Sequence, residues 1–200
     1  MIRLAALLLA ALLCCSPAAA QSAHDLLAGE TRGINPRYLL QDPNGRSVTS
    51  EDFRGRFQLI TFGYTYCPDV CPTTLVEMAA VLRQLGDQAD RLQPIFITVD
   101  PERDTAKVLK TYTEFFDPRI LGLTGSPALV RRAADNFRIR YAKVHEPGSD
   151  NYAVDHSAGM ILLGPDGQFI RKFAFATPVD EIAAQLLEVL GAYQPGPARR

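Results

Sequence analysis

Apolar positions along this chain follow two rhythms. Residues 57–62 (Phe57-Gln58-Leu59-Ile60-Thr61-Phe62) and 92–99 are nearly continuous apolar runs and predict buried strands. Between them Leu75, Met78, Ala79, Leu82 and Leu85 recur at helical spacing. They follow Pro72, whose missing N–H costs nothing in the first turn of a helix. Strand, helix and strand in this order predict a parallel βαβ unit, a sheet with both faces covered. Val108, Leu109, Tyr112 and Phe115 predict a helix over 105–116, and Ile120-Leu121-Gly122-Leu123 a short strand. Ser126 before Pro127 is an N-cap signal for a helix running to about residue 137.

The rest of the chain is punctuated more heavily. Residues 139–144 predict a strand, and 146–151 a polar loop. Residues 160–163, the turn Gly164-Pro165-Asp166-Gly167 and residues 169–175 predict a hairpin. Thr177 is expected to cap the last helix, with Pro178 in its first turn and Asp180 completing a capping box. Near the front, Tyr38-Leu39-Leu40 and Ser47-Val48-Thr49 flank Asp42-Pro43-Asn44-Gly45, a β-hairpin with an Asn-Gly turn. The order is βαβ, a connecting helical stretch, then ββα. That is α/β, the layout of a thioredoxin-like fold with an N-terminal β-hairpin extension and insertions. The first strand of such a βαβ unit delivers reactive residues onto the start of the following helix.

The first twenty residues read differently. One positive charge, Arg3, precedes an apolar run from residue 4 to 13, and Ala18-Ala19-Ala20 offers a small-residue cleavage site. This is the pattern of a secretory signal peptide. The expected organisation is therefore a signal peptide over 1–20, a flexible lead-in over 21–36, one domain over 37–193 and a flexible tail over 194–200. The protein is expected to be periplasmic or otherwise exported, soluble after cleavage and membrane-anchored if the signal is retained.

Composition matters here chiefly through cysteine. The 200 residues hold four, and the signal takes Cys14 and Cys15, leaving Cys67 and Cys71. Loss of Arg3 moves the net charge from −1 to −2. With no excess of Lys and Arg there is no electrostatic case for a nucleic acid partner. A bridge across so small a loop removes little entropy from the unfolded chain, so a structural staple explains these cysteines poorly. Redox or metal chemistry explains them better. The start of a helix favours the thiolate, the form that attacks disulfides and binds metals.

Histidine is the natural third ligand. His24 lies in the lead-in and His145 borders the polar loop. His156 lies just before the predicted hairpin, in the loop that a thioredoxin-like layout sets beside the first helix. Two sulfurs and one imidazole suit Cu(I), Zn(II) or Cu(II), and structural zinc would want a fourth ligand. Asp100, Glu102 and Asp104 invite a carboxylate–metal reading, but a turn with Asp104 near a helix start is the simpler expectation, with partner docking a third. Asp155 is a candidate to orient His156.

Four stretches carry a resemblance. Thr61-Phe62-Gly63-Tyr64-Thr65-Tyr66-Cys67-Pro68-Asp69-Val70-Cys71-Pro72 comes first, then Val99-Asp100-Pro101-Glu102-Arg103-Asp104-Thr105. Leu121-Gly122-Leu123-Thr124-Gly125 is third, and Val154-Asp155-His156-Ser157 with Leu163-Gly164-Pro165-Asp166-Gly167 is fourth. Together they resemble the Sco/SenC copper proteins, over residues 38–190. Tyr66 departs from the pattern, standing where many members have His. The resemblance implies a metallochaperone that holds copper, Cu(I) or Cu(II), through Cys67, Cys71 and His156. It implies delivery to, or preparation of, the copper centre of cytochrome c oxidase. The implied partners are subunit II of that oxidase, other copper chaperones and a thiol reductant, with the protein itself a monomer. The alternative implied activity is thiol–disulfide reduction of the subunit's cysteines, with Cys67 and Cys71 redox-active.

Overall fold

The computed structural model describes residues 33–145 and 151–193. The expected signal, most of the lead-in with His24, the 146–150 loop and the 194–200 tail lie outside the described residues.

Strands β1 (Leu39–Gln41) and β2 (Ser47–Thr49) form the expected hairpin, with Leu40 opposite Val48. Its connection is longer than a two-residue Asn-Gly turn. The Asp42 carboxylate accepts from the N–H groups of Asn44 and Arg46, and Gly45 takes φ +77°, where a side chain would be strained. The βαβ unit follows: β3 (Phe57–Gly63), α1 (Val70–Leu85) and β4 (Leu92–Thr98), the strands parallel. Helix α2 (Ala106–Phe116) then leads to β5 (Leu121–Leu123), parallel to β4. Helix α3 (Pro127–Asn136) is capped by Ser126, as expected.

Strand β6 (Tyr141–His145) begins two residues later than expected and pairs antiparallel with β7 (Tyr152–His156). The sequence predicts a loop where β7 runs. Its pattern is half exposed with only Val154 buried, so the apolar signal that marks the core strands is missing. Strands β8 (Met160–Leu163) and β9 (Phe169–Phe173) form the last hairpin, and α4 (Val179–Ala192) closes the chain.

The central sheet has the order β5-β4-β3-β8-β9, the thioredoxin-like α/β arrangement. Side chains alternate across it. Leu59, Phe96 and Leu162 face α1, α2 and α4 on one side. Ile60, Ile97 and Ile161 face α3 and the front hairpin on the other. All seven residues of β3 are buried, including polar Gln58, which is bonded to the Tyr38 hydroxyl and the Ser50 carbonyl. The apolar area removed from water on both faces, at roughly 25 cal/mol per Å2, is the main force holding the end of β3 in place.

The expected cap of α4 is corrected. Pro178 occupies the N-cap, and the Thr177 hydroxyl donates to the Ala174 carbonyl instead. Asp180 does not close a capping box; its carboxylate accepts from Gln84 on α1 at 2.6 Å. A helix-to-helix partner competes with the local one.

Candidate metal centre

Strand β3 ends at Gly63 and the chain leaves the sheet through Tyr64, Thr65 and Tyr66. Glycine is required there. A Cβ at position 63 would lie 2.8 Å from Cys71 Sγ and 2.8 Å from Phe96 Cε2. The exit loop is fixed by Asp104, whose carboxylate accepts from the Thr65 N–H at 3.1 Å and the Thr65 hydroxyl at 2.6 Å. Thr98 at the end of β4 donates to the same carboxylate at 2.7 Å.

Helix α1 starts with an uncapped end, since the Asp69 side chain makes no capping bond. The sulfur of Cys67 fills that role and receives the N–H groups of Asp69, Cys71 and Val70. Burial works against charge on Cys67, but these donors and the Cys71 thiol outweigh it and hold its pKa below the usual thiol range. Cys71, on the first turn of α1, is buried and is pushed the other way. Burial is the larger cause, and the neighbouring Cys67 and Asp104 charges add to it. Both cysteines are free thiols.

His156 ends β7 and turns its ring toward α1. Its Nε2 lies 3.3 Å from Cys71 Sγ, and its Nδ1 lies 3.0 Å from the Ser157 carbonyl oxygen. A carbonyl only accepts, so this contact assigns the proton to Nδ1 and leaves the Nε2 lone pair facing the sulfur. Burial keeps the imidazole pKa below its ordinary value, against the opposing pull of the Ser157 carbonyl and Asp155. The Tyr64 ring packs against it edge-on, centroids 6.0 Å apart at 86°.

Ligand atoms of Cys67, Cys71 and His156 all lie within 4.8 Å of one another. Two are partly exposed and one is buried, and an open groove of about 360 Å3, lined by Arg140, Tyr141 and Asp155 among others, reaches His156. One thiol poised to ionise, one held protonated by burial and one neutral imidazole form a soft donor set. A cation entering it would displace the Cys71 proton, because metal coordination deprotonates a thiol outright.

The other candidates fall elsewhere. His145 sits on exposed β6 against the Tyr152 ring. Asp100 and Asp104 are fully buried and engaged by Arg103, Tyr152, Thr65 and Thr98, the structural expectation rather than a carboxylate–metal cluster. Glu102 pairs with Lys143 at 2.6 Å. Among the described residues it is the Ser157 carbonyl, not Asp155, that holds the His156 ring. Sequence reasoning passed over Gly63, Tyr64, Arg103 and Ser157. All four stand within the stretches that carry the family resemblance, Gly63 and Tyr64 beside the cysteines, Arg103 in the second stretch and Ser157 next to His156, and that is the signal that could have found them.

The SCO1/SenC family matches residues 28–191. The mouse protein named Protein SCO2 homolog, mitochondrial, is 38% identical over 158 residues, 78% of this chain. The chain spans 62% of the length of that relative. A solved structure of Bradyrhizobium japonicum ScoI with copper bound is 42% identical, with a TM-score of 0.72, covering 78% of this chain and 98% of that one. A more distant solved structure is BsSco, described as a member of the Sco family of cytochrome c oxidase assembly proteins and as having a disulfide switch. It is 27% identical with a TM-score of 0.60, covering 78% of this chain and 93% of that one.

Proposed function

The chain belongs to the SCO1/SenC family, and from that premise we propose that it is an exported copper-binding metallochaperone. It delivers copper to, or prepares, the copper centre of cytochrome c oxidase, acting on subunit II. Cys67, Cys71 and His156 are the ligands, and residues 37–193 are the copper-binding domain. The observation that carries this reading is the convergence of two sulfurs and one imidazole nitrogen within 4.8 Å. Copper is the cargo. Three soft donors satisfy Cu(I) and leave room for an added ligand on Cu(II). Partial exposure of Cys67 and His156 lets an acceptor's ligands attack from the groove side while Cys71 still holds the ion. Export rests on the signal pattern of residues 1–20. No helix of the described residues is long and apolar enough to cross a membrane.

The test is copper titration of the reduced protein, followed by thiolate-to-Cu(II) charge-transfer absorption. One copper per chain is expected, with binding sharply weakened in Cys67→Ser, Cys71→Ser and His156→Ala. A His156→Ala protein that bound like the parent would overturn the ligand set.

A specific observation favours a second activity of the same sulfurs: Cys67 is free, partly exposed and has a lowered pKa. Its thiolate attacks a partner disulfide, and Cys71 then resolves the mixed disulfide. Two electrons pass to the partner, whose sulfurs leave as thiols, and Cys67–Cys71 becomes a disulfide that no longer binds copper. A protein that reduced a subunit-II disulfide yet bound no copper in any form would make this the primary function.

A further inference from the structure

We propose that Arg103 is a positioning residue for His156, tying the hairpin that carries the histidine to the loop that carries the cysteines. This rests on the reading of His156 as a copper ligand.

The β6–β7 sheet makes no strand pairing with the five-stranded sheet among the described residues. At its His156 end the polar closure is local: the Ser157 N–H donates to the Arg140 carbonyl and the Arg140 N–H to the Ser157 hydroxyl. Val154 anchors it in the apolar core, and its N–H donates to the Tyr64 hydroxyl. Further directional ties are at the Tyr152 end, and they reach the segment after β4. Arg103 Nη1 donates to the Tyr152 carbonyl at 3.0 Å, and the Tyr152 hydroxyl donates to Asp100 at 2.9 Å. The guanidinium lies 3.7 Å from the Tyr152 ring centroid and its Nε bonds the fully buried Asp100. Lys143 on β6 pairs with Glu102 next door.

The same guanidinium also faces the cysteine loop. It lies 4.8 Å from the Tyr66 ring centroid and 5.7 Å from that of Tyr64. Tyr64 in turn packs edge-on against His156. One planar cation thus touches aromatic rings on both sides of the site, while its fork is held by a buried carboxylate. Lysine cannot reproduce this, because a point charge lacks the fork that bonds Asp100 and the Tyr152 carbonyl together.

The test uses Arg103→Lys, with Tyr152→Phe as a second variant that keeps the ring and loses the bond to Asp100. Copper affinity is expected to fall on the order of tenfold in Arg103→Lys, as is typical for groups that orient ligands. The Cu(II) charge-transfer band is expected to shift, and the imidazole nitrogen coupling in the electron paramagnetic resonance spectrum to change. In the copper-free protein, nuclear Overhauser contacts between the His156 and Tyr64 rings are expected to weaken. Tyr152→Phe should move the same readouts in the same direction. The Arg103→Lys, His156→Ala double variant should bind no more weakly than His156→Ala alone. A lowered melting temperature with unchanged spectra, affinity and ring contacts would overturn the proposal, since Arg103 would then be only a structural brace. If His156→Ala bound copper like the parent, the underlying ligand reading would fall. The copper-free ring contacts would still decide whether Arg103 positions the histidine.

Discussion

Cys67 and Cys71 stand four positions apart and in opposite surroundings. Cys67 takes the N–H groups at the start of α1, and Cys71 is sealed beneath Gly63. Iodoacetamide at neutral pH is therefore expected to modify Cys67 well before Cys71, as peptide mass spectrometry would show. Equal rates would contradict the asymmetry. As pH falls below the usual thiol range, Cys67 keeps more of its reactivity than a free cysteine, because its pKa lies lower. Gly63→Ala is expected to cost about 1–3 kcal/mol by overpacking, read as a lower urea midpoint, and to weaken copper binding as well. The three residues proposed as ligands were singled out by spacing, a strand-to-helix position and the family resemblance, and the fold brings their side chains together. The groups that set their properties were not legible. Gly63 and Asp104 act through contacts that exist only once distant segments meet, and Ser157 acts through the local backbone conformation at the end of β7, which the apolar pattern does not encode.

The elements with strong apolar rhythm were legible almost to their ends, because burial on both sheet faces leaves a near-continuous pattern in β3, β4 and β8. Leu162, fully buried on the α1 side, illustrates the energetic basis. Leu162→Ala is expected to destabilise by about 2–5 kcal/mol in urea unfolding, and a loss under 1 kcal/mol would contradict the packing described. Strand β7 was not legible, since it is edge-like and largely polar outward. The α4 cap was misread because a local Thr-x-x-Asp signal lost to Gln84 on another helix. Beyond the end of α2, the Arg119 guanidinium and N–H hold the Asp117 carboxyl below the usual carboxylate range. Its folded pKa lies below its unfolded one, so its contribution is present above the unfolded value and lost as pH falls through the folded one. Asp117→Asn should therefore have a lower urea midpoint than the parent at pH 7, the gap closing toward strong acid. A gap independent of pH would contradict the assignment.

Across the whole molecule, the mixed central sheet supplies rigid ends, and the segments that leave it supply the chemistry. The β3–α1 loop brings the Cys67 sulfur and the first turn of α1 that of Cys71, the β4–α2 loop brings Asp104 and Arg103, and the β6–β7 hairpin brings the imidazole. Their meeting is a property of the fold, so copper should bind the folded chain in preference to the unfolded one. Free Cu(I) at about 100 times its dissociation constant should add roughly 2.7 kcal/mol of stability, seen as a raised melting temperature that Cys71→Ser abolishes. The ligand set itself is read most directly by X-ray absorption on the copper-loaded, reduced protein. Two sulfur neighbours and one imidazole nitrogen are expected, with the outer imidazole features lost in His156→Ala. A sulfur-only shell in the parent, unchanged by that substitution, would contradict the site described.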